Sequence, residues 1–299
     1  MSLKTVAILS PGDMGHAVGR VLVDHGLQVV TCLRGRSVRT HSLAERVGIA
    51  ALPDYAALVR QSDIILSILV PAQAENAART VARALRETGA TPLYVDCNAI
   101  SPDTVRRVGE IITTAGGRFA DASIIGGPPR DGRVPRMYTS GPGATAFAAL
   151  GNYGLDIRVM GDRVGDASAL KMCYAALTKG LTALCTTLLV GARRLGISEA
   201  LAEELRSSQS ALYEMMRQGV PAMPMKARRW IGEMEEIAAT FAGVGLTDKI
   251  HLGAAEMYRL VAATPLADRT PEDPSPLPSL EEAIALLAAW EDPAADHAG

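Results

Sequence analysis

The chain has 299 residues, 48% of them hydrophobic and 21% charged: ample for a full core, wrong for a disordered chain, and more than one core usually organises, so two domains are expected. The formal net charge of −2 lacks the basic surplus a nucleic-acid-binding protein needs. No 18-residue apolar run is free of charge, the nearest being 175–190 with Lys179 inside it, so neither nucleic acid nor a membrane is an expected partner.

In chain order, the first half alternates short apolar runs with stretches of helical length. Residues 6–9, 28–33, 64–70, 93–96 and 118–122 are rich in Val, Ile and Leu and are bounded by Gly, Pro or polar residues, as strands are. Between them, 14–25, 72–88 and 101–115 read as helices. Strand–helix–strand in repetition implies parallel pairing through crossover helices, hence a doubly wound, mostly parallel α/β sheet of Rossmann type. Several strands are apolar throughout, as when both faces of a sheet are covered.

A Gly- and Pro-rich stretch, 126–143, breaks this rhythm, with 136–140 and 156–160 as further candidate strands. From Asp166 to about Leu195 runs a Pro-free helical pattern, a rod of about 45 Å at 1.5 Å per residue. Helical patterns then fill 198–218, 225–243 and 247–263, giving an all-α C-terminal domain joined by one long interdomain helix. In the tail, Ser279 followed three residues later by Glu282 reads as a capping box opening a short helix through Trp290, with disorder expected at the extreme end. The expected divisions are 1–163, 164–264 and 265–299.

Cys32, Cys97, Cys173 and Cys185 lie too far apart for a C-x-x-C motif, and the five histidines form no cluster, so no metal is expected. Reduced thiols and the lack of a visible targeting segment fit a cytoplasmic location.

The first strand leads into Ser10, Pro11, Gly12, Asp13, Met14 and Gly15, and then into a helix. Against G-x-G-x-x-G, Gly12 and Gly15 match and Ser10 replaces the first glycine. Pyrophosphate binding needs backbone to approach closely at a helix N-terminus, where N–H groups and the dipole favour anions. Two glycines alone also make an ordinary turn, but the position after the first strand is the one dinucleotide binding requires. At the end of the second strand, Arg34, Arg36 and Ser37 stand where an NAD enzyme carries an acid, and no acid follows until Glu45. Guanidiniums and a hydroxyl suit a 2′-phosphate, which favours NADP over NAD; the alternative is a solvated loop. Leu69, Val70 and Pro71, and Asn98 after Asp96 and Cys97, close later strands on the ligand side of the sheet, where ribose and nicotinamide would pass.

Together these residues resemble the β-hydroxyacid dehydrogenase and 6-phosphogluconate dehydrogenase superfamily. The loop from Ser10 to Gly15, with Met14, is similar to the family's G-x-G-x-M-G. Asp96-Cys97-Asn98 followed by Ile100-Ser101-Pro102 resembles the segment beneath the nicotinamide, and Phe119 through Gly127 the substrate loop that ends in Ser-Gly-Gly. Gly161 and Gly165 with Lys171 after them resemble the start of the helix presenting the catalytic lysine. The resemblance implies Lys171 as general acid or base, Gly126 and Gly127 as substrate contacts, and a homodimer formed through the helical domain.

Two positions depart from the family: its loop serine is Ile125 here, and its asparagine four residues past the lysine is Ala175. These departures point away from a plain 3-hydroxy acid toward a less polar or differently shaped substrate; Ser123 and Tyr174 are the candidate replacements, and Lys179, eight residues past Lys171, is a second candidate in the substrate cleft. The segment around Arg228–Glu236 resembles an uncharacterised branch of the superfamily; Arg229 and Glu233, four apart, are either an ordinary helix ion pair or a substrate contact. The leading reading is hydride transfer between NADP(H) and a small hydroxy or carbonyl compound. Imine reduction, oxidative decarboxylation of a 3-hydroxy acid, and a non-catalytic NADP-binding sensor are the alternatives.

Overall fold

The computed structural model describes residues 3–270 and 272–290. Eight strands, β1 (Thr5–Ile8), β2 (Gln28–Thr31), β3 (Ala50–Ala51), β4 (Ile64–Ser67), β5 (Leu93–Asp96), β6 (Arg118–Ile125), β7 (Arg136–Ser140) and β8 (Asp156–Gly161), form one sheet. Its order is β3-β2-β1-β4-β5-β6-β7-β8. Pairing is parallel except between β6 and β7. Because β1 pairs with both β2 and β4, the winding reverses there, and the ends of these strands open the crevice where such sheets bind ligands.

The apolar runs follow from burial on two faces. Val6 and Ile8 pack into one core layer with Val18, Leu22 and Val29, whereas Ala7 and Leu9 pack into the other with Val30, Ile65 and Val81. Successive side chains of a strand point to opposite faces, so a strand covered on both has no polar position to alternate with. The covering helices are α1 (Asp13–Asp24), α2 (Val38–Arg46), α3 (Tyr55–Gln61), α4 (Ala74–Thr88), α5 (Pro102–Thr114) and α6 (Ala144–Ala148).

Four of these elements carry no sequence expectation. Strand β3 has 2 residues, α6 has 5 and α3 has 7, too few for a period to show. Helix α2 buries only Leu43 and Ala44. Conversely, β6 runs three residues beyond the expected 118–122, to Ile125.

The long helix α7 spans Asp166–Arg194, and α8 (Ser198–Ser208), α9 (Ser210–Ala222), α10 (Pro224–Ala242), α11 (Lys249–Ala262) and α12 (Leu280–Ala288) follow. The single helix expected over 198–218 is interrupted at Gln209, whose backbone (φ −136°, ψ 42°) leaves the helical region. The capping box at Ser279 and Glu282 forms as expected, and its helix stops at Ala288. Disorder expected at the extreme C-terminus falls outside the described residues. By length and composition α7 is apolar enough to cross a membrane, but 44% of its most apolar window is buried inside the protein. Its Ala183, Cys185, Leu189 and Val190 are core residues. The chain divides into two compact units after Met172, within α7.

Candidate active site

The loop at the end of β1 is shaped by the two glycines in different ways. A Cβ on Gly15 would lie 2.3 Å from the carbonyl oxygen of Ser10 and 3.2 Å from Ile8, so only glycine lets α1 start this close to the strand. A Cβ on Gly12 would meet nothing within 4 Å. Gly12 is also the N-cap of α1, where no side chain caps the helix. An open cradle at an uncapped helix N-terminus fits a pyrophosphate. Ser10, Pro11, Asp13 and Met14 complete the loop, and His16 Nδ1 holds the Gly12 carbonyl at 2.7 Å.

Arg34 is exposed and Arg36 is half-buried, its Nη2 donating to the Leu9 carbonyl at 3.2 Å, so Arg36 lies against the end of β1. Ser37 is the N-cap of α2 and accepts from the Thr40 amide, which gives its hydroxyl a structural task. Arg39, on the first turn of α2, forms an ion pair with Asp13. Arg39 is hard to read from the sequence because α2 buries too few residues to show a helical period; its position three past Arg36 is the available signal.

At the ends of β4 and β5 a polar knot replaces free side chains. Asn98 Nδ2 donates to Ser67 Oγ at 3.0 Å and Asp96 Oδ2 at 2.9 Å, and its Oδ1 accepts from the Leu69 amide at 2.5 Å. Asn98 therefore shapes the Leu69–Val70–Pro71 backbone, in which Val70 is exposed and Pro71 buried. Asp96 is fully buried, which raises its carboxyl to about 7, against the hydrogen bonds from Asn98 that lower it.

A second knot fixes the start of α7. Asp121, the register partner of Asp96 and also fully buried, accepts from the amides of Gly165 at 3.0 Å and Ser168 at 3.1 Å. It also accepts from Ser168 Oγ at 2.8 Å and Ser140 Oγ at 3.1 Å. Burial raises its carboxyl, and these donors oppose that shift. The Ala167 amide donates to Ser140 Oγ at 3.1 Å, and Ser123 Oγ donates to the Ala167 carbonyl at 2.5 Å. Gly165, at φ 105°, makes the turn that presents these amides. A carboxylate in the sheet thus receives the N-terminus of α7, where the helix dipole favours negative charge.

One and a half turns on, the half-buried Lys171 donates from Nζ to the carbonyl of Ile124 at 2.7 Å. This sets its ammonium at the end of β6, where Ile125 leads into the exposed Gly126 and Gly127. Three other expected substrate residues stand differently. Ser123 is fully buried and committed to Ala167, so the fold offers a substrate no atom of it. Tyr174 is exposed on α7. Lys179 is buried and ion-paired with Glu233, itself also 3.2 Å from Arg229 Nε, and sits 5.3 Å over the Trp230 ring. The substrate role expected for Lys179 is corrected accordingly: a buried ammonium must be paired, and this one is. Arg229 and Glu233 do form the helix ion pair.

The sheet, its open loop and the uncapped helix define an NAD(P)-binding domain. Residues 5–148 match the model of the NAD binding domain of 6-phosphogluconate dehydrogenase, and residues 192–261 match a domain of unknown function, DUF1932. A conserved protein of unknown function, reported as structurally similar to 3-hydroxyacid dehydrogenases, is 32% identical, with 86% of this chain and 97% of that chain covered and a TM-score of 0.65. The 3-hydroxyisobutyrate dehydrogenase of Mycobacterium tuberculosis, with L-serine, shares the fold at 20% identity over 96% of this chain and all 100% of its own, with a TM-score of 0.69. So does the reductive aminase of Aspergillus terreus, in complex with NADPH and ethyl-5-oxohexanoate, at 18% identity, 87% and 93% coverage and a TM-score of 0.55. The chain belongs to the β-hydroxyacid dehydrogenase and 6-phosphogluconate dehydrogenase-like superfamily of NAD(P)-dependent oxidoreductases.

Proposed function

We propose that the protein transfers hydride between NADP(H) and a small hydroxy or carbonyl compound, with Lys171 as the general acid and base. The observation that carries this reading is the hydrogen bond of Lys171: its ammonium donates to the Ile124 carbonyl at the end of β6, two residues before Gly126 and Gly127, on a helix whose N-terminus a buried carboxylate fixes to the sheet. Bound NADPH would supply the hydride. Lys171 would donate a proton to the substrate oxygen in reduction and take it back in oxidation, its pull on the carbonyl oxygen preparing the carbon for attack.

The preference for NADP rests on Arg34 and Arg36 at the end of β2, where no carboxylate stands to receive a ribose hydroxyl. Gly12 and the N-terminus of α1 would receive the pyrophosphate, and Leu69, Val70 and Pro71 the ribose side. The hydroxy or carbonyl substrate would lie against Gly126, Gly127 and Lys171. Imine reduction is the second reading, favoured by the fold shared with the reductive aminase; the lysine favours oxygen over nitrogen as the proton's destination. The exposed Leu177 and Leu184, seven apart on α7, support a homodimer through the helical unit. The free cysteines support a cytoplasmic location.

Titration with NADPH and NADH, followed by nicotinamide fluorescence, tests the cofactor: NADPH binds more tightly, and Arg34→Ala or Arg36→Ala removes the preference. Tighter NADH binding would overturn the NADP assignment. Lys171→Ala abolishes turnover and leaves NADPH affinity nearly unchanged; an active variant would overturn its role, and a wild type that binds NADPH but turns over no hydroxy acid, ketone, aldehyde or imine would favour a sensor.

A further inference from the structure

The loop between β6 and β7 carries an arrangement that hydride transfer to a simple hydroxy acid does not need. Arg130 and Arg133 form an isolated antiparallel bridge, each amide donating to the other's carbonyl, at 3.0 and 2.9 Å. Asp131 and Gly132, at φ 51° and 73°, make the two-residue reversal between them. This is the backbone of the tight primed turns that suit two-residue hairpins. Directly opposed residues of an antiparallel pair put their side chains on the same face, so the hairpin sets two guanidinium stems side by side.

Like charges directly opposed across a pair are destabilising. Among the described residues none of Arg130, Arg133 and Arg136 has a carboxylate within ion-pairing distance, whereas Arg20, Arg79, Arg107 and Arg228 all do. The three arginines line a cavity of about 550 Å³ together with Gly126, Gly127 and Asp131. Asp131 is the only acid in that lining, against three guanidiniums. The loop is also stiff: Pro128, Pro129 and Pro135 fix backbone angles along it, and Gly126 at φ 132° turns the chain where a Cβ would press on Pro135 at 3.2 Å. Arginines displayed on a rigid loop lose less entropy when they take a ligand.

We infer that this loop is an anion subsite, and that the substrate of the Lys171 site carries a second anionic group, a carboxylate or a phosphoryl ester, remote from the carbon that exchanges hydride. The inference rests on the function proposed above. Ile125, Gly126 and Gly127 line the cavity and follow directly on Ile124, whose carbonyl takes the Lys171 ammonium, so one molecule can span the two. Guanidiniums present paired donors that match carboxylate and phosphate oxygens, and the cavity volume admits a small acid with a second charged end.

Calorimetric titration of the full-length protein saturated with NADP⁺, which occupies the phosphate site at Arg34 and Arg36, tests this. The probes are two pairs that share a carbon skeleton and differ in charge: glutarate with monomethyl glutarate, and 3-phosphoglycerate with glycerate. The more highly charged member of at least one pair binds about tenfold or more tightly, and which pair responds tells carboxylate from phosphoryl. A triple variant, Arg130→Gln, Arg133→Gln and Arg136→Gln, loses that preference at unchanged NADPH affinity, and Arg133→Glu alone weakens it. Equal affinities within both pairs, or a preference that survives the triple variant, overturn the inference. NADPH binding of the same sample is read separately: its failure removes the oxidoreductase reading, and the anion preference then stands or falls by the cofactor-free titration.

Discussion

Replacing Asp121 tests whether the sheet, through one carboxylate, holds the helix that carries Lys171. In Asp121→Ala four donors lose their acceptor: the amides of Gly165 and Ser168 and the hydroxyls of Ser140 and Ser168. A buried donor left without a partner costs about 1–3 kcal/mol. The two hydroxyls can rotate to other acceptors, but the two amides cannot, and a side-chain cavity adds to their loss. The expected destabilisation is about 4–6 kcal/mol, on the order of 10–20 °C in melting temperature for a unit of this size. Asp121→Asn behaves differently. Its amide oxygen can stand where Oδ2 accepts three of the four bonds, and its NH₂ can face Ser168 Oγ, which then accepts. Only the charge assistance is lost, so about 1–3 kcal/mol is expected. Urea unfolding followed by far-ultraviolet circular dichroism measures both, and hydrogen exchange at the Gly165 and Ser168 amides locates the loss. Near-wild-type stability of Asp121→Ala, or equal losses for Ala and Asn, would refute the reasoning.

The glycines of the nucleotide loop separate binding from folding. Gly12→Ala leaves the melting temperature nearly unchanged, since its Cβ meets nothing within 4 Å, yet lowers NADPH affinity tenfold or more by filling the cradle; Gly15→Ala destabilises by about 1–3 kcal/mol through its contact with Ser10. Fluorescence titration and thermal melts of the two variants check this contrast. Asp96 titrates near 7, above its unfolded value near 4, so the folded state binds the extra proton between those values. Its contribution is therefore fully present below the unfolded pKa and is lost as pH rises toward 7, by at most about 1.4 kcal/mol per pH unit; the stability difference between wild type and Asp96→Asn, from urea midpoints at pH 5, 6, 7 and 8, shrinks accordingly and levels off at the top. Lys179→Ala leaves the buried Glu233 with the Arg229 guanidinium alone and costs up to about 3 kcal/mol, less than a wholly unpaired buried charge would, whereas Lys179→Met with Glu233→Leu recovers most of that loss; unfolding read from tryptophan fluorescence distinguishes them.

The sequence displays those parts of the fold that are made by repetition. β1, β2, β4 and β5 appear as apolar runs because both faces of the sheet are covered, and α7 appears because no proline interrupts it. The loop from Ser10 to Gly15 is legible because its chemistry demands small residues at set spacings. What escapes is made by pairing across distance. Asp121 looks like one polar residue in an apolar strand, and only the return of the chain at Gly165, 44 residues later, supplies its donors. Ser123 looks like a free hydroxyl for the same reason, since its acceptor is the Ala167 carbonyl. Lys179 reads as a cleft residue until Glu233, on α10, is seen to neutralise it. Arg130 and Arg133 are plain in the sequence, but their shared face depends on a reversal at Asp131 and Gly132 that composition alone does not orient.

Every bond described between the sheet and the first turns of α7 ends at or before Lys171, and the chain divides one residue later. Lys171 thus belongs to the nucleotide-binding unit, although it is written on a helix that continues into the other unit. A lineage with this architecture can replace, trim or rebuild everything beyond Met172 without re-inventing the lysine's address.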